Sequence, residues 1–205
     1  MIVEILPENP DQRKIKQVVE CLKSGGVIIY PTDTVYSIGC DIENNKAIER
    51  IARLKNVRAD KANFSLVCHD LSHITEYSRQ VSNSVFKMMK RALPGPYTFI
   101  LEAGKKIPTI FSDRKKTIGI RVPDHLIPRE IVKELGRPII ATSVHDDDEI
   151  IAYTTDPNLI HEKFEHLVDM VIDGGFCGLE ASTVLDCTGA VVTVIREGKG
   201  TIDFI

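Results

Sequence analysis

The sequence predicts a single α/β domain with a mixed β-sheet, and three observations lead there. Short β-branched runs alternate with segments of helical periodicity along the whole chain. The 205 residues hold no internal repeat, low-complexity tract or linker, which suits one core. A doubly wound nucleotide-binding fold lacks its usual marks, because no G-x-G-x-x-G follows the first strand and no G-x-x-x-x-G-K-(S/T) occurs.

Taken in order, Ile2–Leu6 reads as a strand. Asp11 can cap a helix whose Ile15, Val18, Val19 and Leu22 share one face, with Gly25-Gly26 as its stop. Val27–Tyr30 is a buried strand, and Val35–Cys40 another after a polar cluster. Asn44 or Asn45 caps a helix running to Lys55, with Ala47, Ile48, Ile51 and Leu54 inward. Phe64–Cys68 is a strand and Asp70–Tyr77 a short helix. Ser82 or Ser84 starts a helix through Leu93, halted by Pro94-Gly95-Pro96. Tyr97–Leu101 and Thr117–Val122 are strands. Pro123-Asp124 opens a helix ending at Gly136, and Pro138–Thr142 is a strand. Asp156-Pro157 is a cap and first turn for a helix over 157–165. Val168–Asp173, Thr183–Asp186 and Val191–Arg196 complete the strands.

Composition is that of a soluble globular protein, at 43% apolar and 27% charged residues. No apolar run approaches the roughly 18 residues that span a bilayer, and the N-terminus lacks a basic leader, so no membrane partner and a cytoplasmic location are expected. Cys21, Cys40, Cys68, Cys177 and Cys187 are scattered, odd in number and without C-x-x-C, a pattern that supports neither a disulfide framework nor a metal site. His161 and His166 are five apart and do not share a helix face, so they form no metal pair.

Net charge is only −3, but it is unevenly spread. Residues 50–61 carry Arg50, Arg53, Lys55, Arg58 and Lys61 against Asp60. Residues 105–121 carry Lys105, Lys106, Arg114, Lys115, Lys116 and Arg121 against Asp113. Residues 141–173 carry nine acids against Lys163. Such asymmetry can place a positive patch on a nearly neutral protein, although each run alone also reads as a solvated face.

Seven polar segments could carry chemistry. Tyr30, Thr32, Asp33, Thr34 and Tyr36 crowd into seven residues after a strand and could fix a small polar ligand, or simply satisfy a turn. Lys55 to Lys61, including Arg58, could bind phosphate or serve the helix C-terminus. Lys90-Arg91 precede the Pro94-Gly95-Pro96 turn. Arg121 points away from the face of Ile120 and Val122, so it meets solvent, a partner or an anion. Ala141–His145, Glu180–Asp186 and Arg196-Glu197-Gly198 follow. A triad of Ser143, His145 and Asp146 is disfavoured, because triad members converge from separate loops.

In this order YPTDTVYSIGC, KRALPGPYTFIL, KTIGIRVP, ATS, STVLD and REG resemble the YrdC/YciO superfamily over nearly the whole chain, and its YciO-like branch in detail. The resemblance implies a single domain over 1–205, with a twisted mixed sheet flanked by helices around a large concave basic cavity. It implies a threonine pocket with Thr32 and Thr34, and Tyr36, Ser143 and Ser182 as further substrate-binding residues. It places Lys55, Arg121, Ser143, Ser182 and Arg196 on a nucleotide and phosphate side, with Arg58, Lys61, Lys90, Arg91, Lys115 and Lys116 as further nucleotide, phosphate or RNA contacts, the RNA being double-stranded RNA or tRNA on the basic surface. No cofactor is certain; the synthase branch would bring threonine, bicarbonate, ATP and Mg, making threonylcarbamoyl-AMP for tRNA modification.

Two departures from that branch stand out. Its Lys-x-Arg has Val57 at the arginine position here, with Arg58 one residue late, and its Ser-x-Asn reads Ser143-Val144-His145. Losing a charged phosphate contact costs about 1.5–3 kcal/mol. The resemblance, with these departures, implies an RNA-binding protein with a nucleotide or threonylcarbamoyl-type pocket, linked to tRNA threonylcarbamoyl-adenosine metabolism. The alternatives are the synthase, or a hydrolase or transferase in which His145 acts as the catalytic group.

Overall fold

Alternation along the short strand β2 (Val27–Tyr30) divides the interior in two. Val27 and Ile29 enter one apolar cluster, while Ile28 and Tyr30 enter a second on the opposite face. The coordinates are a computed structural model that describes all residues except 73, 112–115, 145–151 and 204–205.

Ten strands form one mixed sheet among the described residues. In chain order they are β1 (Ile2–Glu4), β2, β3 (Ser37–Asp41), β4 (Ser65–Val67), β5 (Tyr97–Glu102), β6 (Thr117–Arg121), β7 (Ile139–Ser143), β8 (Met170–Asp173), β9 (Thr183–Asp186) and β10 (Thr193–Arg196). Their spatial order is β1-β8-β2-β3-β7-β4-β6-β5-β9-β10, with parallel pairs at β1·β8, β8·β2, β4·β6 and β5·β9. The α/β class with a mixed sheet flanked by helices is what the alternating pattern predicts.

Helices cover both faces. On one, α1 (Gln12–Lys23) buries Ile15, Val18, Val19 and Leu22 beside α5 (Leu126–Leu135). On the other, α2 (Asn45–Leu54) and α4 (Asn83–Ala92) bury Ile48, Ile51, Val85 and Met89 against Ile38, Leu66, Phe99 and Ile120. Asp11, Asn44 and Ser82 each accept a first-turn backbone N–H and so fix the helix starts. The helices α3 (Ile74–Tyr77) and α6 (Pro157–Phe164) are short, and Asp156 caps the latter.

Several boundaries move for physical reasons. Strand β3 begins at Ser37 because the Thr32 hydroxyl donates to the Val35 carbonyl and holds that segment in a turn. The strand expected from Val168 begins at Met170, because the Asp169 carboxylate accepts the Val27 N–H at 2.8 Å. Helix α5 starts at Leu126 after His125, and the short helix expected from Asp70 covers only Ile74–Tyr77. In α2, Leu54 is half-buried and packs against the larger cluster, as its inward position predicts, and Ala52 is buried as well.

Opposite the larger cluster, the central strands carry small side chains in register. Gly39 faces Ala141, Ala141 faces Ser65, and Ser65 faces Gly119 across β3, β7, β4 and β6. A Cβ on Gly39 would lie 2.8 Å from the Ile140 carbonyl oxygen, and one on Gly119 would lie 2.7 Å from Ser65 Oγ. Larger side chains at these two positions would meet the adjacent strands β7 and β4.

Candidate functional site

The segment 31–36 links β2 to β3 and reaches across to β6. Asp33 and Thr34 meet Arg121 of β6, which lies three places beyond β3 in the sheet. Arg121 Nη2 donates to Asp33 Oδ1 at 3.1 Å and to Thr34 Oγ1 at 3.0 Å. Thr34 Oγ1 is 3.0 Å from Thr32 Oγ1, which donates to Val35 O at 2.6 Å and accepts the Thr34 N–H at 3.1 Å. The Asp124 N–H donates to Asp33 Oδ2 at 3.1 Å, and Lys199 Nζ donates to the Asp33 carbonyl.

The electrostatics are those of a buried, incompletely paired cation. The Arg121 side chain is 10% exposed and that of Asp33 7%. Burial lowers the Arg121 pKa, Asp33 and Tyr30 oppose that shift, and Arg196 adds to it. Arg121 Nε is buried with no hydrogen-bond partner among the described residues. An unmade bond on a buried guanidinium is costly, and a ligand oxygen would relieve it.

Around this pair lie further polar groups. Ser182 Oγ is 2.8 Å from Thr98 Oγ1, and Arg196 donates to the Ser182 carbonyl through Nε at 3.2 Å and Nη2 at 3.0 Å. Tyr36 donates from its hydroxyl to Gly175 O at 2.7 Å and accepts the Gly174 N–H at 3.4 Å; burial raises its pKa. Cys177 Sγ donates to Thr32 O at 3.5 Å, and burial pushes that thiol up to about 11, so it is neutral at physiological pH. Ser143 pairs with Ser37 at the end of β7.

The structure thus joins Thr32, Thr34 and Arg121 in one direct network. Tyr36 and Ser182 are tied to the loop that borders it. Other sequence-derived candidates stand apart. Lys55 caps α2, and Arg58 makes a paired contact with Asp60 at 2.9 Å through both Nε and Nη2. Arg58 lines a shallow groove with Arg53, Val57 and Ile110, while Lys61 is exposed. Lys90 and Arg91 are exposed at the end of α4, with Lys90 Nζ 5.9 Å from the Phe86 ring centroid. That helix packs on the face of Ile118 and Ile120, whereas Arg121 alternates to the opposite face. Lys116 is exposed beside β6. His145 and Lys115 lie outside the described residues.

Residues overlooked in the sequence complete the site. Lys199 follows the Arg196-Glu197-Gly198 segment, and only the fold brings it to Asp33. His125, at the start of α5, has a buried Nδ1 without a partner among the described residues; burial lowers its pKa, opposed by Asp33, Asp124 and Glu8. The Gly174-Gly175 doublet after β8 was its own signal. Gly175 takes φ +84°, and a Cβ on Gly174 would lie 2.6 Å from Pro31 Cγ.

Among the described residues, no group of three or more imidazole, thiol or carboxylate side chains is placed to hold a metal ion. No described helix is long and apolar enough to cross a membrane.

Comparison with known proteins places these features in a family. Residues 20–198 match the Sua5/YciO/YrdC family, described as telomere recombination. YciO of Escherichia coli is 42% identical over 97% of this chain and 95% of its own, and its crystal structure superposes with a TM-score of 0.91 over 99% of this chain and 98% of that one. A threonylcarbamoyl-AMP synthase of Vibrio vulnificus is 32% identical over 64% of this chain and 71% of its own. Sua5 of P. abyssi complexed with L-threonine is 25% identical, with a TM-score of 0.87 over 97% of this chain and 57% of that protein. The chain belongs to the Sua5/YciO/YrdC family.

Proposed function

We propose that the chain is an RNA-binding protein, acting on double-stranded RNA or tRNA, whose cavity accepts a threonylcarbamoyl-type group. The reading is linked to tRNA threonylcarbamoyl-adenosine metabolism. The observation that carries it is the Asp33–Arg121–Thr34 network. It couples a buried guanidinium, whose Nε is unpartnered among the described residues, to two hydroxyls. A guanidinium suits a carboxylate, and the Thr34 hydroxyl, which donates to Thr32 and accepts from Arg121, keeps one acceptor site for an N–H or O–H of a threonyl moiety. Solved Sua5 with bound L-threonine supports the same ligand class.

The RNA part rests on exposed cations, including Lys61, Lys90, Arg91 and Lys116, outside the buried network. Binding dominated by phosphate contacts weakens steeply with salt. Titration of labelled tRNA at 50 and 200 mM salt is expected to show affinity falling by at least about tenfold. Absence of binding, or affinity independent of salt, would sink the RNA reading.

The synthase reading keeps support from the Vibrio vulnificus relative and from the Ser182–Arg196 contact. In it, Mg would enter on the ATP phosphates. The bidentate Arg58–Asp60 pair and the 43%-exposed Val57 count against it, since the displaced arginine already has a carboxylate partner. It requires pyrophosphate release that depends on both threonine and bicarbonate.

A further inference from the structure

Two large apolar side chains stand in solvent on the loop that borders the Thr32–Arg121 network. Phe176 is 78% exposed and Leu179 is 48% exposed. Isolated exposed hydrophobics are ordinary, but Phe176 is carried on backbone fastened on both sides. The Gly175 N–H donates to Asp173 Oδ1 at 2.9 Å, and the Gly175 carbonyl accepts from Tyr36 at 2.7 Å. The Cys177 N–H donates to Thr155 O at 3.2 Å, and its thiol to Thr32 O. A Cβ on Gly178 would lie 3.0 Å from the Thr34 carbonyl oxygen, so the loop presses on the segment that holds Arg121. An aromatic ring held outward by a fixed backbone loses little conformational freedom on meeting a partner.

The chemistry of the rim selects the partner. Exposed Lys199 uses one of its three N–H donors on the Asp33 carbonyl, while its backbone N–H donates to Ala181 on the same loop. The neighbouring carboxylates Glu180 and Glu197 are exposed, so this rim is no plain phosphate track. Lys199 Nζ and the Cys177 thiol donate to the successive carbonyls of Asp33 and Thr32, which sets the ammonium by the loop that carries Phe176, and a flat ring with an ammonium on the same rim suits a nucleobase and its phosphate. Resting on the RNA reading above, we infer that Phe176 is a stacking platform for an unpaired base of a structured RNA. The base is presented at the edge of the Thr32–Arg121 site, with Lys199 beside its phosphate.

The chain contains no tryptophan, so Phe176→Trp introduces a single fluorophore at this position. The test titrates wild type, Phe176→Ala and Phe176→Trp with an RNA stem-loop bearing unpaired adenosines, a blunt duplex of the same stem, and AMP. Wild type should favour the stem-loop, Phe176→Ala should bind it about tenfold more weakly with duplex affinity unchanged, and Phe176→Trp should restore binding and be quenched by it. Equal stem-loop affinity for wild type and Phe176→Ala overturns the platform alone, as does quenching as strong with AMP as with the stem-loop. No binding of either RNA by wild type overturns both the platform and the RNA reading.

Discussion

Arg121 on β6 donates to the Asp33 carboxylate at 3.1 Å, joining residues 88 apart in sequence in a pair whose side chains are 10% and 7% exposed. The contact fixes the segment 31–36 over the sheet and orients the cation of the site. Removing one partner of a buried pair leaves an uncompensated charge, at about 3–5 kcal/mol. Asp33→Ala is expected to lower stability by about 3 kcal/mol, a Tm fall of about 6–12 °C in a protein of this size. The double variant Asp33→Ala with Arg121→Leu should recover part of that loss in thermal denaturation.

A second ion pair separates stability from function. Arg137 Nε and Nη2 donate to Asp41 Oδ1 and Oδ2 at 2.8 and 2.5 Å, with Asp41 only 3% exposed. The Asp41 contact raises the Arg137 pKa. Arg137→Ala should cost about 2–3 kcal/mol in denaturant unfolding while leaving ligand and RNA affinity at wild-type levels.

The network shows what was readable beforehand. Alternation placed Arg121 opposite Ile120 and Val122, and the crowding of Thr32, Asp33 and Thr34 after β2 was visible as a polar cluster. The sequence did not reveal that Asp33 is the partner of Arg121, because that contact joins the segment between β2 and β3 to a strand three places beyond β3 in the sheet. Lys199 and His125 were hidden for the same reason: neither has a local pattern, and each acquires its role from tertiary proximity to Asp33. Helix starts at Asp11, Asn44 and Ser82 were legible because capping is local. The start of β8 was not, because a long-range bond from Val27 takes the Asp169 carboxylate.

The pH dependence of stability should carry the signature of His125. Burial holds its imidazole below the ordinary value of 6.5, so the unfolded chain takes up a proton there before the folded one does. His125 therefore leaves stability intact above about pH 6.5 and subtracts from it as pH falls from 6.5 towards the lowered folded-state value. Thermal unfolding of wild type and His125→Asn between pH 8 and 5 should show a shallower acid-side decline in the variant. Parallel pH profiles would contradict this assignment.

Arg58 tests whether the displaced arginine still handles phosphate. It is exposed and already paired with Asp60. Arg58→Ala is expected to leave Tm unchanged and to weaken tRNA binding by no more than a few-fold, as for one phosphate contact among several. Complete loss of tRNA binding in filter-binding assays would show that the Lys55–Lys61 segment is the principal nucleic-acid contact.

The most direct measurement compares the affinity of the protein for the same tRNA with and without a threonylcarbamoyl group on its adenosine, for wild type and for Thr34→Val. Valine keeps the shape of Thr34 and deletes the hydroxyl that accepts from Arg121. A pocket for the threonylcarbamoyl group predicts tighter binding of the modified tRNA by wild type, with the preference reduced about tenfold in Thr34→Val. Equal affinity of wild type for the two tRNAs would contradict it.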